Sequence, residues 1–144
     1  MPGVAGFFSN LDISASGMLA ERRRMDVVLS NLANAESTRT REGGPYQRRQ
    51  VVFESVLREN TTDHDFAGAG VTVREVSLDP TPPIRMHRPG HPDADADGYV
   101  LFPDIRTAEE MVDLISAARA YEANAEAFKI AKGMLQRALD LWRT

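Results

Sequence analysis

From Leu114 onward the chain places an apolar side chain at every seventh position: Leu114, Tyr121, Phe128, Leu135 and Trp142. Met111, Ala118, Ala125 and Ala138 fall largely three or four residues from these and complete a heptad-like seam on one helix face. No proline interrupts 104–144, and Thr107 followed by Glu110 reads as a capping box. The spacing therefore predicts a helix from 107 to about 143. A weaker copy of the pattern stands at the other end. Leu11, Met18, Met25 and Leu32 recur every seven residues, flanked by Ala15, Val28 and Leu29, with Ser9 and Asp12 as a candidate cap. This helix should fade between Asn31 and Asn34, because Asn favours caps over helix interiors.

The C-terminal helix carries a second apolar row: Ala120, Ala123, Ala127, Ile130, Met134 and Leu141. Two antiparallel helices need only one stripe each. Alanine by itself suits a solvated helix face, but Ile130, Met134 and Leu141 are not solvent residues. The row predicts contact with a helix of another subunit.

Between the helices the apolar runs are short and bounded by turn residues: Tyr46–Phe53, Val71–Val76, Ile84–His87 and Tyr99–Phe102. Such runs predict hairpins rather than strand–helix–strand units. Six of the eight prolines lie between 80 and 103, which makes that segment loop and sheet edge. The expected fold class is α+β: a helical segment at 1–35, an irregular or β middle at 36–104, and a helix from 105–144 packed on the first. A helix from 107 to 143 would be about 55 Å long, whereas a compact globule of this size is roughly 40 Å across. The molecule should be elongated, with its ends paired as a coiled coil. Closing about seventy residues between those helices costs entropy. The isolated chain is accordingly expected to be disordered through about residue 35 and from about 107, becoming helical on stacking.

Composition removes several function classes. With 42% hydrophobic and 26% charged residues the chain is an ordinary folded protein, and its formal net charge of −4 offers no field for nucleic acid. The charge is uneven: residues 61–104 hold three Arg against eight acids, while both ends are nearly balanced. Cysteine is absent, which excludes disulfides and thiol chemistry. No run is long enough for a membrane span, and the N-terminus lacks the basic start of a cleaved signal. The sequence contains none of the common nucleotide-binding, hydrolase or zinc-protease motifs, so neither an enzyme nor a small-molecule substrate is expected. No cofactor is expected either.

One stretch does invite a ligand. Asp93, Asp95 and Asp97 alternate with alanine and run into Gly98, most of a calcium-loop pattern. Pro89, Gly90 and Pro92 forbid the entering helix of an EF-hand, and Asp with Gly is also what a polar turn before a strand requires. A calcium module on this loop, or a small coiled-coil adaptor, are the alternatives to a purely structural role. Arg39, Arg41, Arg48 and Arg49 around GGPY suit strand-edge or inter-subunit contacts, and Glu21 to Arg24 suit a solvated face.

Two stretches carry a family resemblance. Residues 24–53, RMDVVLSNLANAESTRTREGGPYQRRQVVF, resemble the N-terminal signature of bacterial flagellar axial proteins, whose first helix ends in an Asn-x-x-Asn motif like Asn31 and Asn34. The closing helix, with RAYEAN at 119–124, is similar to the C-terminal signature of rod, hook and hook-associated subunits, and PGHPDADADGYV strengthens the likeness to the rod members. Glu36-Ser37 stands where the family more usually has Asn-Thr, and residues 54–70 resemble nothing in it. The resemblance implies a proximal-rod subunit that stacks helically with copies of itself and other rod proteins. It also implies export through the flagellar type III apparatus without a cleaved signal, residence in the basal body outside the inner membrane, and no metal at the acidic loop.

Overall fold

The computed structural model describes residues 2–56 and 70–141, with side chains of the first helix from Asn10 onward. Its order is α1 (Pro2–Ala33), β1 (Arg49–Val56), β2 (Gly70–Leu78), β3 (Ile84–His87), β4 (Tyr99–Phe102) and α2 (Thr107–Leu141). The class is α+β, with two long helices around a small antiparallel middle. At 32 and 35 residues the helices run about 48 and 52 Å.

The two helices are antiparallel, for Asn31 touches Glu110 while Gly17 lies against Asn124. α1 starts well before the expected cap, and Ser9 and Asp12 fall inside it. Pro2 explains the earlier start, since proline suits the first helical turn, where its missing N–H costs nothing. The capping box at the head of α2 is likewise corrected. The backbone N–H of Glu110 donates to Arg106 O at 3.1 Å, and its carboxylate turns away from the helix end into the interior.

β1 and β2 pair antiparallel from Arg49↔Leu78 to Val56↔Gly70, with a bulge between Val52 and Phe53. β3 and β4 pair from Ile84↔Phe102 to His87↔Tyr99. The expected strand over Tyr46–Phe53 begins only at Arg49. The Asp79 N–H donates to Arg48 O at 2.8 Å just ahead of the first pair, whereas the Tyr46 N–H turns back to Ser37 O at 3.0 Å. β1 and β2 lie along α1, where the Val71 N–H donates to Ser16 Oγ at 3.1 Å. The second hairpin is tied to the segment after α1 by Thr38 Oγ1, which donates to Asp93 Oδ2 at 2.8 Å.

Candidate assembly interface

The seam between the helices is narrower than the heptad reading of α1 suggests. Its fully buried residues are small or polar on α1 (Ser14, Gly17, Ala20, Val27, Val28, Asn31) and only Glu110 and Ala117 on α2. Leu114, Tyr121, Phe128 and Leu135 are half-buried along α2, and Leu11, Met18, Met25 and Leu32 are half-buried along α1. The α1 heptad therefore marks the shoulder of the seam, beside its floor. Leu29 is corrected outright for helix pairing: half of it stays in solvent, and its neighbour Val28 takes the inward position. Trp142 lies outside the described residues.

The small floor of α1 has a steric cause. A Cβ on Gly17 would come within 2.9 Å of the Asn124 amide, so any larger residue obliges that side chain to move for α2 to keep its approach. Asn124 in turn donates to Ala120 O at 3.0 Å. By propensity alone Gly17→Ala should gain about 1 kcal/mol. It should gain clearly less, because Asn124 must shift, whereas the Gly17→Ala, Asn124→Ala pair should recover the full gain. Thermal melting of the four proteins of that cycle measures the coupling.

At one end of the pair a polar cluster holds α1, β1 and α2 together. Asn31 and Glu110 are each 1% exposed. Asn31 Nδ2 donates to Glu110 Oε2 at 3.0 Å and to Arg49 O at 2.9 Å, and its Oδ1 accepts from the Arg49 N–H and the Tyr46 hydroxyl. All four hydrogen-bonding positions of the amide are filled, the condition under which a buried Asn is tolerated. The remaining Glu110 oxygen accepts from Arg48 Nε at 2.6 Å. Arg48 also reaches Asp79 at 3.3 Å and Asp113 at 3.7 Å, and Arg24 joins Asp113 from α1 at 3.5 Å. Burial opposes the Arg48 charge, but Glu110 and Asp79 outweigh it and hold the guanidinium pKa above its ordinary value. Two of the arginines expected at strand edges or in solvent, Arg48 and Arg24, thus serve the interior.

Asp79 is held down to about 2, first by the Thr81 hydroxyl and N–H and then by Arg48 and Gln50. A carboxyl depressed on folding stabilises above its unfolded pKa, near 4, and loses that contribution as pH falls toward 2. The melting difference between the parent and Asp79→Asn should therefore be present at pH 5 and shrink toward pH 2.

Asn34 closes α1. Its Nδ2 donates to Ser30 O at 2.9 Å, and Ser37 Oγ donates to its Oδ1 at 3.1 Å, so Ser37 supports the cap despite the departure from the family's usual residues. The two motif asparagines thus differ in kind: Asn34 caps a helix end, and Asn31 is an interior hub.

The acidic loop forms a turn. Asp95 Oδ1 accepts from the N–H groups of Tyr99 and Asp97 at 2.8 and 3.0 Å, and Oδ2 accepts from Arg85 at 2.8 Å. These contacts, led by the Tyr99 N–H, lower the Asp95 pKa. Gly98 follows at φ +78°, a value that favours glycine. Among the described residues no three acidic or histidine side chains are grouped to hold a metal, so the calcium reading is not favoured. Asp93→Asn with Asp95→Asn keeps the turn-forming oxygens and should leave swimming intact at any calcium level. A calcium-dependent loss on swimming plates would revive the metal reading.

The second apolar row of α2 is uncovered in the single chain. Ile130 is 57%, Met134 50% and Leu141 78% exposed, and Ala123 and Ala127 lie in the open beside them, with Ala120 half-buried. No helix among the described residues is long and apolar enough to cross a membrane.

Comparison with known proteins matches both ends of the chain. Residues 11–39 match the family described as flagella basal body rod protein, and residues 96–141 match the C-terminal family of the flagellar basal body rod FlgEFG proteins. The chain is 41% identical to the flagellar basal-body rod protein FlgC of Bacillus subtilis, covering 93% of this chain and 97% of the relative. It is 45% identical to the Aquifex aeolicus FlgC over 94% and 97%, and 37% identical to the Borreliella burgdorferi FlgC over 94% and 97%. Near-complete coverage at these identities, on a chain built from two long terminal helices, means that it belongs to the flagellar basal-body rod protein FlgC family.

Proposed function

We propose that this chain is a structural, non-enzymatic subunit of the flagellar basal-body rod, stacking with copies of itself and with other rod proteins to transmit torque. The observation that carries this reading is the uncovered row Ile130, Met134 and Leu141 on a helix whose adjacent face is already paired. A row of this kind is costly in water and stabilising once another helix covers it. The organisation follows as 1–35 and 105–144 for the axial helices and 36–104 for the segment between them. Leu11, Met18, Met25, Leu32, Leu114, Tyr121, Phe128 and Leu135 pack within the subunit; Ala120, Ala127, Ile130, Met134 and Leu141 pack between subunits.

Export through the flagellar type III apparatus, without a cleaved signal, would bring the subunit to the basal body outside the inner membrane. Order gained on stacking then concerns mainly the distal part of α2, where no described residue after Ala117 is fully buried. The test is Ile130→Asp with Met134→Asp. Both sites are exposed in the free chain, so its melting temperature should barely move. Rods should nevertheless be missing from purified basal bodies. Normal rods in this double variant would remove the assembly role of the row.

A further inference from the structure

The apolar shoulders of the seam repeat every seven residues on both helices. On α2, large residues (Leu114, Tyr121, Phe128, Leu135) alternate with the small ones Ala117, Ala131 and Ala138, and sliding the helix by one heptad lays large on large and small on small. Apolar packing of this kind discriminates poorly between axial registers, and in coiled coils a polar residue at a seam position supplies the discrimination. Two polar features break the repeat here. One is the hub of Asn31 with Glu110 and Arg48, extended one heptad along α1 by the Arg24–Asp113 ion pair; the other is Asn124 in the recess at Gly17. They lie two heptads apart on α1 and two heptads apart on α2, so both engage in a single register.

We propose that these two polar pins set the axial register of the helix pair, which the apolar seam leaves open. A slide of one heptad strands Glu110 away from Arg48 and Asn31, and brings Asn124 against a side chain rather than the Gly17 recess. The first penalty is that of a buried polar group without its partners; the second is steric, since Asn124 keeps its bond to Ala120 O on the same helix. Register matters to a subunit whose outer row must meet neighbours at fixed heights, because one heptad is about 10 Å of helix. The inference rests on the chain's own geometry and holds whether or not the outer row packs in the rod.

The chain has no cysteine, so spin labels can be placed at will on Arg22→Cys and Gln136→Cys, two exposed sites offset by about 25 Å along the pair axis. Pulsed electron–electron resonance on the full chain should give one narrow distance. That distance should persist in a hub variant, Asn31→Leu with Glu110→Leu, since Asn124 still engages Gly17. Adding Asn124→Ala should produce a second population, displaced by a slide of about 10 Å, with helicity retained by circular dichroism. A single parental distance in the triple variant overturns the proposal and assigns register to the Arg24–Asp113 pair or to the connecting segments. Loss of helicity in either variant also overturns it, because an intact apolar seam with a free register keeps its helices.

Discussion

Arg48→Ala is expected to melt about 10 °C below the parent and to swim poorly or not at all. Glu110 is 1% exposed, and three-quarters of the Arg48 side chain is covered beside it. Removing the arginine leaves a carboxylate in the seam with only the Asn31 amide to hold it. Breaking a buried pair from one side costs about 3–5 kcal/mol, and the partial exposure of Arg48 puts this case near the lower figure. For a chain of this length roughly 3 kcal/mol corresponds to the stated shift. The charge itself can then be tested. Glu110→Gln added to Arg48→Ala removes the stranded charge while the amide oxygen still accepts from Asn31, so about half of the loss should return. Failure of that rescue, measured by thermal melting, would mean that Arg48 matters for its contacts to Asp79 and Asp113 rather than for Glu110.

Phe128→Asp is expected to abolish swimming with the protein still expressed. Phe128 lies in the distal half of the seam, where side chains are half-buried in the single chain. The cost to the free subunit should therefore be modest, about 1–2 kcal/mol. In a stack of helices the same site would be closed from the other side, and an unpaired carboxylate there costs several kcal/mol per subunit. Repeated at each copy, that penalty should prevent rods from forming. Swimming plates together with imaging of basal bodies check it. Intact rods would show that the distal seam stays solvated after assembly.

The two substitutions separate two parts of one helix pair. Near the hub, stability comes from a few satisfied polar contacts between α1, α2 and the start of β1. Beyond Asn124 it depends on apolar shoulders and on whatever covers the outer row. A shaft subunit benefits from that division. The hub end gives each subunit a defined shape, and in the proposed stack the distal end leaves apolar surface for neighbours to cover.

The sequence by itself determined the helices, both hairpins and the apolar faces. Each depends on spacing along the chain: a period of seven for α2, turn residues around short apolar runs, and prolines crowded into 80–103. Local rules were sufficient where local geometry decides, so β3 and β4 stand at their expected residues. They failed where a side chain answers to a distant partner. Glu110 has the spacing of a capping residue, yet Arg48, sixty-two positions earlier, draws it inward. Asn31 sits where an asparagine ordinarily ends a helix, and it becomes interior because β1 and α2 bring acceptors and donors to all four of its positions. Gly17 looks like a weak helical residue until α2 crosses it. Heptad counting favours large apolar residues, so on α1 it selected Leu11, Met18, Met25 and Leu32, whereas close approach of the helices requires small residues at the floor. Only the tertiary structure decided that floor and the polar hub. Their energies come from desolvation and contact across the fold, which no spacing within one segment records.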